Sequence, residues 1–585
     1  MNRVSETKIR GMLSGVYVAR RLMSFVLMFM LAATSAGVVL RLDAAAQKRP
    51  PATSSATQKR RSAAAAQTAR PARQQSGSLS TEARAALSSV SAGSLRGHLS
   101  FIASDALEGR DTPSRGLDIA AEYIAAQFRR AGLEPVGDDV YFQTANMVLR
   151  ERNLQGFELG MQADGERIAV GADEVSLAYG LGLQAADGAL DIAGAEVVKV
   201  AFDNAVALDA LQPAQVQGKV ILTEIPNIRR AERTRWREML QAQNNFMSTA
   251  ERLNPALVVT IDRQNRRGGG RGAGRLRDAS ALPVTPVEAR SRTPSVPVVG
   301  LHNAQAARLY DALKPGLNAV KFSMRLAAPV EKPVRLRNVA GLLRGSDPLL
   351  RDTYVLVTAH YDHIGMQTGA AAATGGDHIF NGANDDGSGT VSVIELASVL
   401  STLKQRPRRS ILFMTYFGEE RGGLGSRHYG RNPIFPIDKT VANINLEQVG
   451  RTDDKEGARV ATANLTGFDY SDVGTIFQTA GEQTGIRVFK HERNSDAYFS
   501  RSDNQSLADL GVPAHTLSVA YDFPDYHGLG DHWDKIDYTN LEKIVRMIGT
   551  GVLLIANNPE PPKWNESNPK AERYVNAWRE RRLPK

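Results

Sequence analysis

TYVLVTAHYDHIG, residues 353–365, decides the fold. Its first seven residues form a largely apolar, β-branched run with no polar alternation, the pattern of a strand buried on both faces. The run stops abruptly at His360-Tyr361-Asp362-His363. A strand covered on both sides needs helices above and below it. Val391, Ile394, Val399, Leu400 and Leu403 predict one over about 389–403. Three more strand-like runs follow: SILFMTYF (410–417), VANINL (441–446) and AHTLSVA (514–520). Strands alternating with helices predict an α/β domain with a mostly parallel sheet flanked by helices.

Upstream, residues 115–131 place Ile119, Tyr123, Ile124 and Phe128 on one helical face, with Gly132 as a C-cap and Pro135 just beyond. Between about 151 and 334 the texture changes to short β-like runs: EVVKVAF (196–202), KVILTEI (219–225), ALVVTID (256–262) and VPVVGLH (296–302). Helical periodicity is weak there, apart from a charged stretch near 229–251. This region reads as an inserted β-rich domain, with the Gly/Arg-rich 266–277 as a mobile loop.

At the N-terminus Arg20 and Arg21 precede an apolar run, 22–40, and Ala44-Ala45-Ala46 follows as a cleavage-like site. This is the layout of a secretory signal. Left uncleaved, the run has about the length of a bilayer span and would tether the protein to a membrane. Either way the folded body is expected outside the cytoplasm: periplasmic, extracellular or anchored at the outer face of a membrane. Residues 47–78 are rich in Ala, Gln, Arg, Pro and Ser and hold almost no large apolar side chains, so they read as a disordered basic linker. The expected organisation is therefore a signal peptide or anchor (1–46), linker (47–78), first part of the α/β domain (79–150), insertion (151–334), main part of the α/β domain (335–558) and a C-terminal tail (559–585).

The net charge of +10 belongs to that N-terminal stretch: residues 1–80 hold 13 Lys and Arg against two Asp and Glu. The remainder is close to neutral, which argues against nucleic acid as a partner. A 42% hydrophobic chain is not wholly disordered, and a mean hydropathy of −0.28 is too low for a polytopic membrane protein. The absence of cysteine excludes disulfides, thiolate catalysis and Fe–S clusters. Any metal must sit on His, Asp and Glu.

Eight of the ten histidines lie between His360 and His532. Polar clusters follow the strand-like runs: His360 to His363, Gly418-Glu419-Glu420, Glu447 and Tyr526-His527, while Asn384-Asp385-Asp386-Gly387 opens a helix. In an open α/β sheet functional residues gather at the carboxyl ends of strands, so these clusters are expected to share one crevice. His nitrogen and carboxylate oxygen suit a divalent ion such as Zn²⁺. Two close ions need a carboxylate between them, and Asp385, backed by small residues, is placed to bridge. Glu419 and Glu420 point apart in an extended chain, so one can ligate while its neighbour acts as a base.

In TAHYDHIG (358–365), NGANDDGSGT (381–390), FGEERGGLGSRHY (417–429), NINLEQVG (443–450), RSDNQSLADLGVPA (501–514) and YHGLGDHWDKID (526–537), the chain resembles the co-catalytic di-zinc aminopeptidases of metallopeptidase family 28. The entry stretch HLSFIASDALEGRDTPSRG (98–116) is also typical, and the resemblance covers roughly half the chain, 79–150 and 335–556. It implies a zinc exopeptidase fold in which the inserted domain is of the protease-associated kind. It also implies two Zn²⁺ per chain: His360 and Glu447 on one ion, Glu420 and His527 on the other, and Asp385 bridging.

By the same resemblance Glu419 is the general base, acting on a water activated by two metals. Tyr526 steadies the oxyanion, Asp362 orients His360, and Asp503 lies behind the ligands. The bond after Asp385 is expected cis. The implied reaction is removal of N-terminal residues from peptides. Related chemistries on this fold are a metallocarboxypeptidase, a glutaminyl cyclase-like enzyme and a non-catalytic receptor. One departure stands out: Glu447 replaces the Asp usual in the family, keeping the carboxylate on a longer arm.

Overall fold

The computed structural model describes residues 78–581 except 178–188, 203, 205–209, 225–232, 264–281, 287–295 and 368–374. The signal or anchor, all but the last residue of the linker and the Gly/Arg-rich loop lie outside that set. Among the described residues no helix is long and apolar enough to cross a membrane.

The run at 353–359 forms the strand Tyr354–His360 in the middle of a ten-stranded sheet. It pairs in parallel with Ser410–Tyr416 on one side and Thr440–Leu446 on the other, and Ala514–Ser518 continues the parallel centre. Antiparallel strands lie beyond on both sides. Burial on both faces has the expected period of two. Val355, Val357 and Ala359 enter one core with Ile411 and Phe413. Tyr354 and Leu356 enter the opposite core with Leu412, Met414 and Tyr416. The first core is closed by Ala92–Ile102, Arg115–Arg130, Tyr538–Asn557 and Ser388–Leu400, a helix with nearly every residue buried.

The insertion leaves and returns through adjacent antiparallel strands. Phe142–Glu151 pairs with Val330–Leu343 from Phe142↔Val339 out to Glu151↔Val330. Residues 330–334, assigned to the insertion from sequence, thus extend the main sheet. So does Leu282–Pro286, which pairs with Phe142–Glu151 and buries Val284 in the main core. A five-residue segment carries no period that says which of two sheets it joins. The rest of the insertion forms a second, eight-stranded sheet with cores of its own, consistent with a protease-associated domain.

The described part of the C-terminal stretch, 559–581, packs on the main domain. Trp564, Tyr574 and Val575 are buried against Tyr470 and Phe499, and the indole N–H of Trp564 donates to the Gly511 carbonyl at 3.0 Å. Three large side chains spread over a dozen residues have no helical or strand period, which hid them in the sequence.

Candidate metal centre

The carboxyl ends of the parallel strands deliver the polar clusters to one crevice, as the topology requires. His360 is the last residue of its strand and is fully buried. Its Nδ1 donates to the Asp362 carbonyl at 3.2 Å, which leaves Nε2 facing inward. Nε2 stands 3.4 Å from Asp385 Oδ1 and 3.8 Å from Glu447 Oε1. The other Asp385 oxygen, Oδ2, is 2.9 Å from His527 Nε2, and that nitrogen is 3.1 Å from Glu420 Oε1. One carboxylate therefore divides its two oxygens between two imidazoles.

Several backbone contacts fix Asp385. The carboxylate of Asp531 accepts the N–H groups of Asn384 and Asp385 at 3.0–3.1 Å. The Asp385–Asp386 peptide is cis. Asp386 is buried and ties three segments together, accepting N–H from His360, Gly389 and Gln448 at 3.1–3.3 Å. Asp362 acts mainly on the glutamate pair. Its carboxylate accepts the N–H of Glu419 at 3.0 Å and of Glu420 at 3.3 Å, while its Oδ1 is 3.6 Å from His360 Nδ1.

Glu419 and Glu420 lie in different clusters. Glu419 has a carboxylate oxygen clustered with ligand atoms of His360 and Glu447 within 4.8 Å of one another. A second such cluster holds Glu420, Asp385 and His363. Asp503 is buried beside the Gly423 turn with neither carboxylate oxygen hydrogen-bonded. The Tyr526 ring stacks on His527 at 3.9 Å and is half exposed.

The electrostatics are those of crowded carboxylates. Burial pushes the Glu419 carboxyl well above the usual range; Glu447 and Glu420 add to this while His360 opposes it. Burial pushes Asp503 up to about 7. Burial also pulls on His527 downward, but Asp385 and Glu420 outweigh it and raise the imidazole to about 9. Like charges held this close call for a cation among them. The donor set fits a metal: buried His360 Nε2, both His363 ring nitrogens and Asp385 Oδ2 make no hydrogen bond. All are nitrogen or carboxylate donors, the set that Zn²⁺ takes in cysteine-free sites.

Two contributors were not singled out from the sequence. His363 lies in the second cluster; the sequence placed it in the polar cluster after the first strand but gave it no role. Arg110 is fully buried and donates to the carbonyls of Ile102, Tyr361, Asn381 and Gly382 at 2.6–3.0 Å, clamping the loop after His360 and the loop before Asp385 to the N-terminal segment. Conversely, the histidine count overstated the site. His515 is a core residue between Ser471 and Thr466, and His532 pairs with Asp377.

Residues 338–552 match the profile of Peptidase family M28. A vacuolar membrane protease of Verticillium alfalfae is 35% identical over 96 residues, 16% of this chain and 8% of that protein. Aminopeptidase YwaD of Bacillus subtilis is 27% identical over 302 residues, 50% of this chain and 58% of its own. The matches thus span less than two thirds of either relative. Among solved structures, an aminopeptidase from Aneurinibacillus sp. strain AM-1 aligns over 83% of this chain and 100% of its own, with a TM-score of 0.53 at 18% identity. At that identity the likeness bears on the fold alone.

Proposed function

We propose, taking as premise that the chain belongs to Peptidase family M28 through residues 338–552, that it is a zinc-dependent aminopeptidase acting on peptides. The observation that carries this reading is Asp385, whose oxygens stand 3.4 Å and 2.9 Å from imidazoles on opposite sides. That is a bridging carboxylate's layout. His360 and Glu447 would hold one ion, Glu420 and His527 the other. Two zinc ions so held lower the pKa of water toward neutrality and polarise a carbonyl.

The remaining work falls to the protein's own groups. Glu419 accepts a proton from the attacking water and returns it to the leaving amine. Burial raises the Glu419 carboxyl above the usual range, and a carboxyl group positioned at the reacting atoms can serve both transfers. Asp362 fixes the backbone from which Glu419 projects. The Tyr526 ring is half exposed, but desolvation of its phenol end and the nearby carboxylates keep the proton on it, so it can donate to a developing oxyanion. The surplus of carboxylates suits the free ammonium of a peptide N-terminus. Export, with residues 22–40 as a cleaved signal or a tether, belongs to the same reading and rests on the sequence pattern.

The test pairs metal analysis with substrate choice. Dialysed and reloaded protein should bind two zinc ions per chain and cleave aminoacyl-nitroanilides but not their N-acetylated forms. Cleavage only at a free C-terminus would make it a carboxypeptidase, and cyclisation of N-terminal glutamine a cyclase. Binding of peptides without turnover by zinc-loaded protein would leave a receptor.

A further inference from the structure

We propose that Arg451 is a positioning residue for the reaction: through Asp525 and Phe523 it holds the Tyr526 phenol in place to meet the developing oxyanion. The inference rests on the role given to Tyr526 above. Arg451 lies just beyond Glu447, in the loop after the strand Thr440–Leu446. Its side chain is only 5% exposed. Nε and Nη2 donate to the two oxygens of Asp453 at 2.7 Å and 2.5 Å, a fork that fixes the guanidinium plane. Nη1 donates to Asp525 Oδ2 at 3.0 Å. The guanidinium also lies over the Phe523 ring, 5.4 Å from its centroid.

Both partners adjoin Tyr526. Asp525 precedes it in the chain. Phe523 is buried, its carbonyl accepts the Tyr526 N–H at 3.2 Å, and its ring meets the Tyr526 ring edge to face at 5.9 Å. The loop is tightly built. At Gly530 a Cβ would stand 2.4 Å from Asp525 Oδ1. His527 sits at φ +52°, a conformation that a non-glycine residue keeps only when its surroundings impose it. Asp531 closes the far end of the loop on the N–H groups of Asn384 and Asp385. Arg451 closes the near end.

The main chain of Arg451 completes the link. Its N–H donates to Asn384 Oδ1 at 2.9 Å, and Asn384 precedes the bridging Asp385. One residue is thus tied to the Asp385 loop by its backbone and to the Tyr526 loop by its side chain. That double attachment sets the phenol relative to the carboxylate at the centre of the site. Lys535 Nζ also reaches Asp525 Oδ2 at 3.1 Å, but its side chain is 43% exposed, and an exposed pair of this kind holds little.

The experiment is a double-mutant cycle on the zinc-loaded full chain, with kcat, KM and zinc content measured for Arg451→Met, Tyr526→Phe and the double variant. A catalytic group displaced by about 1 Å can cost about 10²-fold, so Arg451→Met should lower kcat by about tenfold or more, with KM within about threefold. Its zinc content should match wild type. In the Tyr526→Phe background the same change should cost less than about twofold, because the phenol it positions is already gone. With the tyrosine rings ¹³C-labelled, the NMR signal that disappears in Tyr526→Phe should shift in Arg451→Met. A loss as large in the Tyr526→Phe background as in wild type, or an unmoved Tyr526 signal, would overturn the proposal. Loss of zinc in Arg451→Met would overturn it too, by showing that the arginine acts through His527. If Arg451→Met does not fold, Asp525→Ala breaks the same link from the loop side and enters the same cycle with the same expectations. Tyr526→Phe at wild-type kcat would instead refute the oxyanion role of Tyr526, and the proposal would fall with it.

Discussion

Glu419 is the residue on which chemistry and structure can be separated. Its neighbour Glu420 faces His527, while Glu419 itself lies with His360 and Glu447. Glu419→Gln removes the proposed proton carrier and keeps a side chain of the same size, so turnover should fall by about 10²–10⁴-fold with zinc content unchanged. Comparing kcat with metal analysis on the same sample checks this; near wild-type turnover would remove Glu419 from the mechanism. Glu420→Ala and His527→Ala should do the reverse, lowering zinc occupancy and activity together. Full occupancy in either variant would refute its place in the ligand set.

At the level of elements, two buried clamps hold the site in register. Arg110 supplies donors to four carbonyls from three segments. Arg110→Lys cannot span them, because a compact ammonium lacks the planar fork. Each carbonyl left without a donor costs about 1–3 kcal/mol, so an apparent Tm roughly 10 °C lower is expected by differential scanning fluorimetry. A wild-type Tm would show that the carbonyls find other partners. The second clamp is the C-terminal segment. Ending the chain at Asn558 removes Trp564, Tyr574 and Val575 and exposes the core around Tyr470 and Phe499. Loss of one such aromatic costs about 3–5 kcal/mol. The truncated protein should therefore be insoluble or melt well below wild type, and soluble, equally stable protein would mean the segment is dispensable.

For the whole molecule, the buried histidines set a pH limit. His515 donates from Nδ1 to the Thr466 carbonyl at 2.8 Å and faces Ser471 Oγ with Nε2 at 2.6 Å, a pairing that suits the neutral ring. Burial pulls its pKa from 6.5 down to about 4. Between those values the unfolded chain takes up a proton that the fold refuses. Stability is therefore full above 6.5 and falls as the pH drops toward 4, by up to about 1.4 kcal/mol per pH unit. His98, also lowered to about 4 by burial, adds to the slope. The thermal midpoint should decline from pH 7 to pH 5, and less steeply in His515→Gln. An unchanged slope in that variant would assign the titration elsewhere.

The alternation of buried strands and helices, and the polar clusters at the strand ends, were legible in the sequence because both are local. Period and length report burial, and a residue next to a strand end is carried to the sheet's edge by covalent geometry alone. Glu419, Glu420 and His527 were candidates from clusters that follow strand-like runs and Asp385 from the cluster that opens a helix, while their individual roles came from the family resemblance. Tertiary structure alone decided which atoms meet. It brought His363 into the second cluster, turned the Asp362 carboxylate toward the glutamate backbone, and closed Arg110 over loops more than 250 residues away in sequence. It also moved Leu282–Pro286 into the main sheet and anchored the C-terminal aromatics. The reason is the same in each case. A side chain's partner is fixed by directions that converge from distant segments, and no spacing along the chain encodes such a convergence.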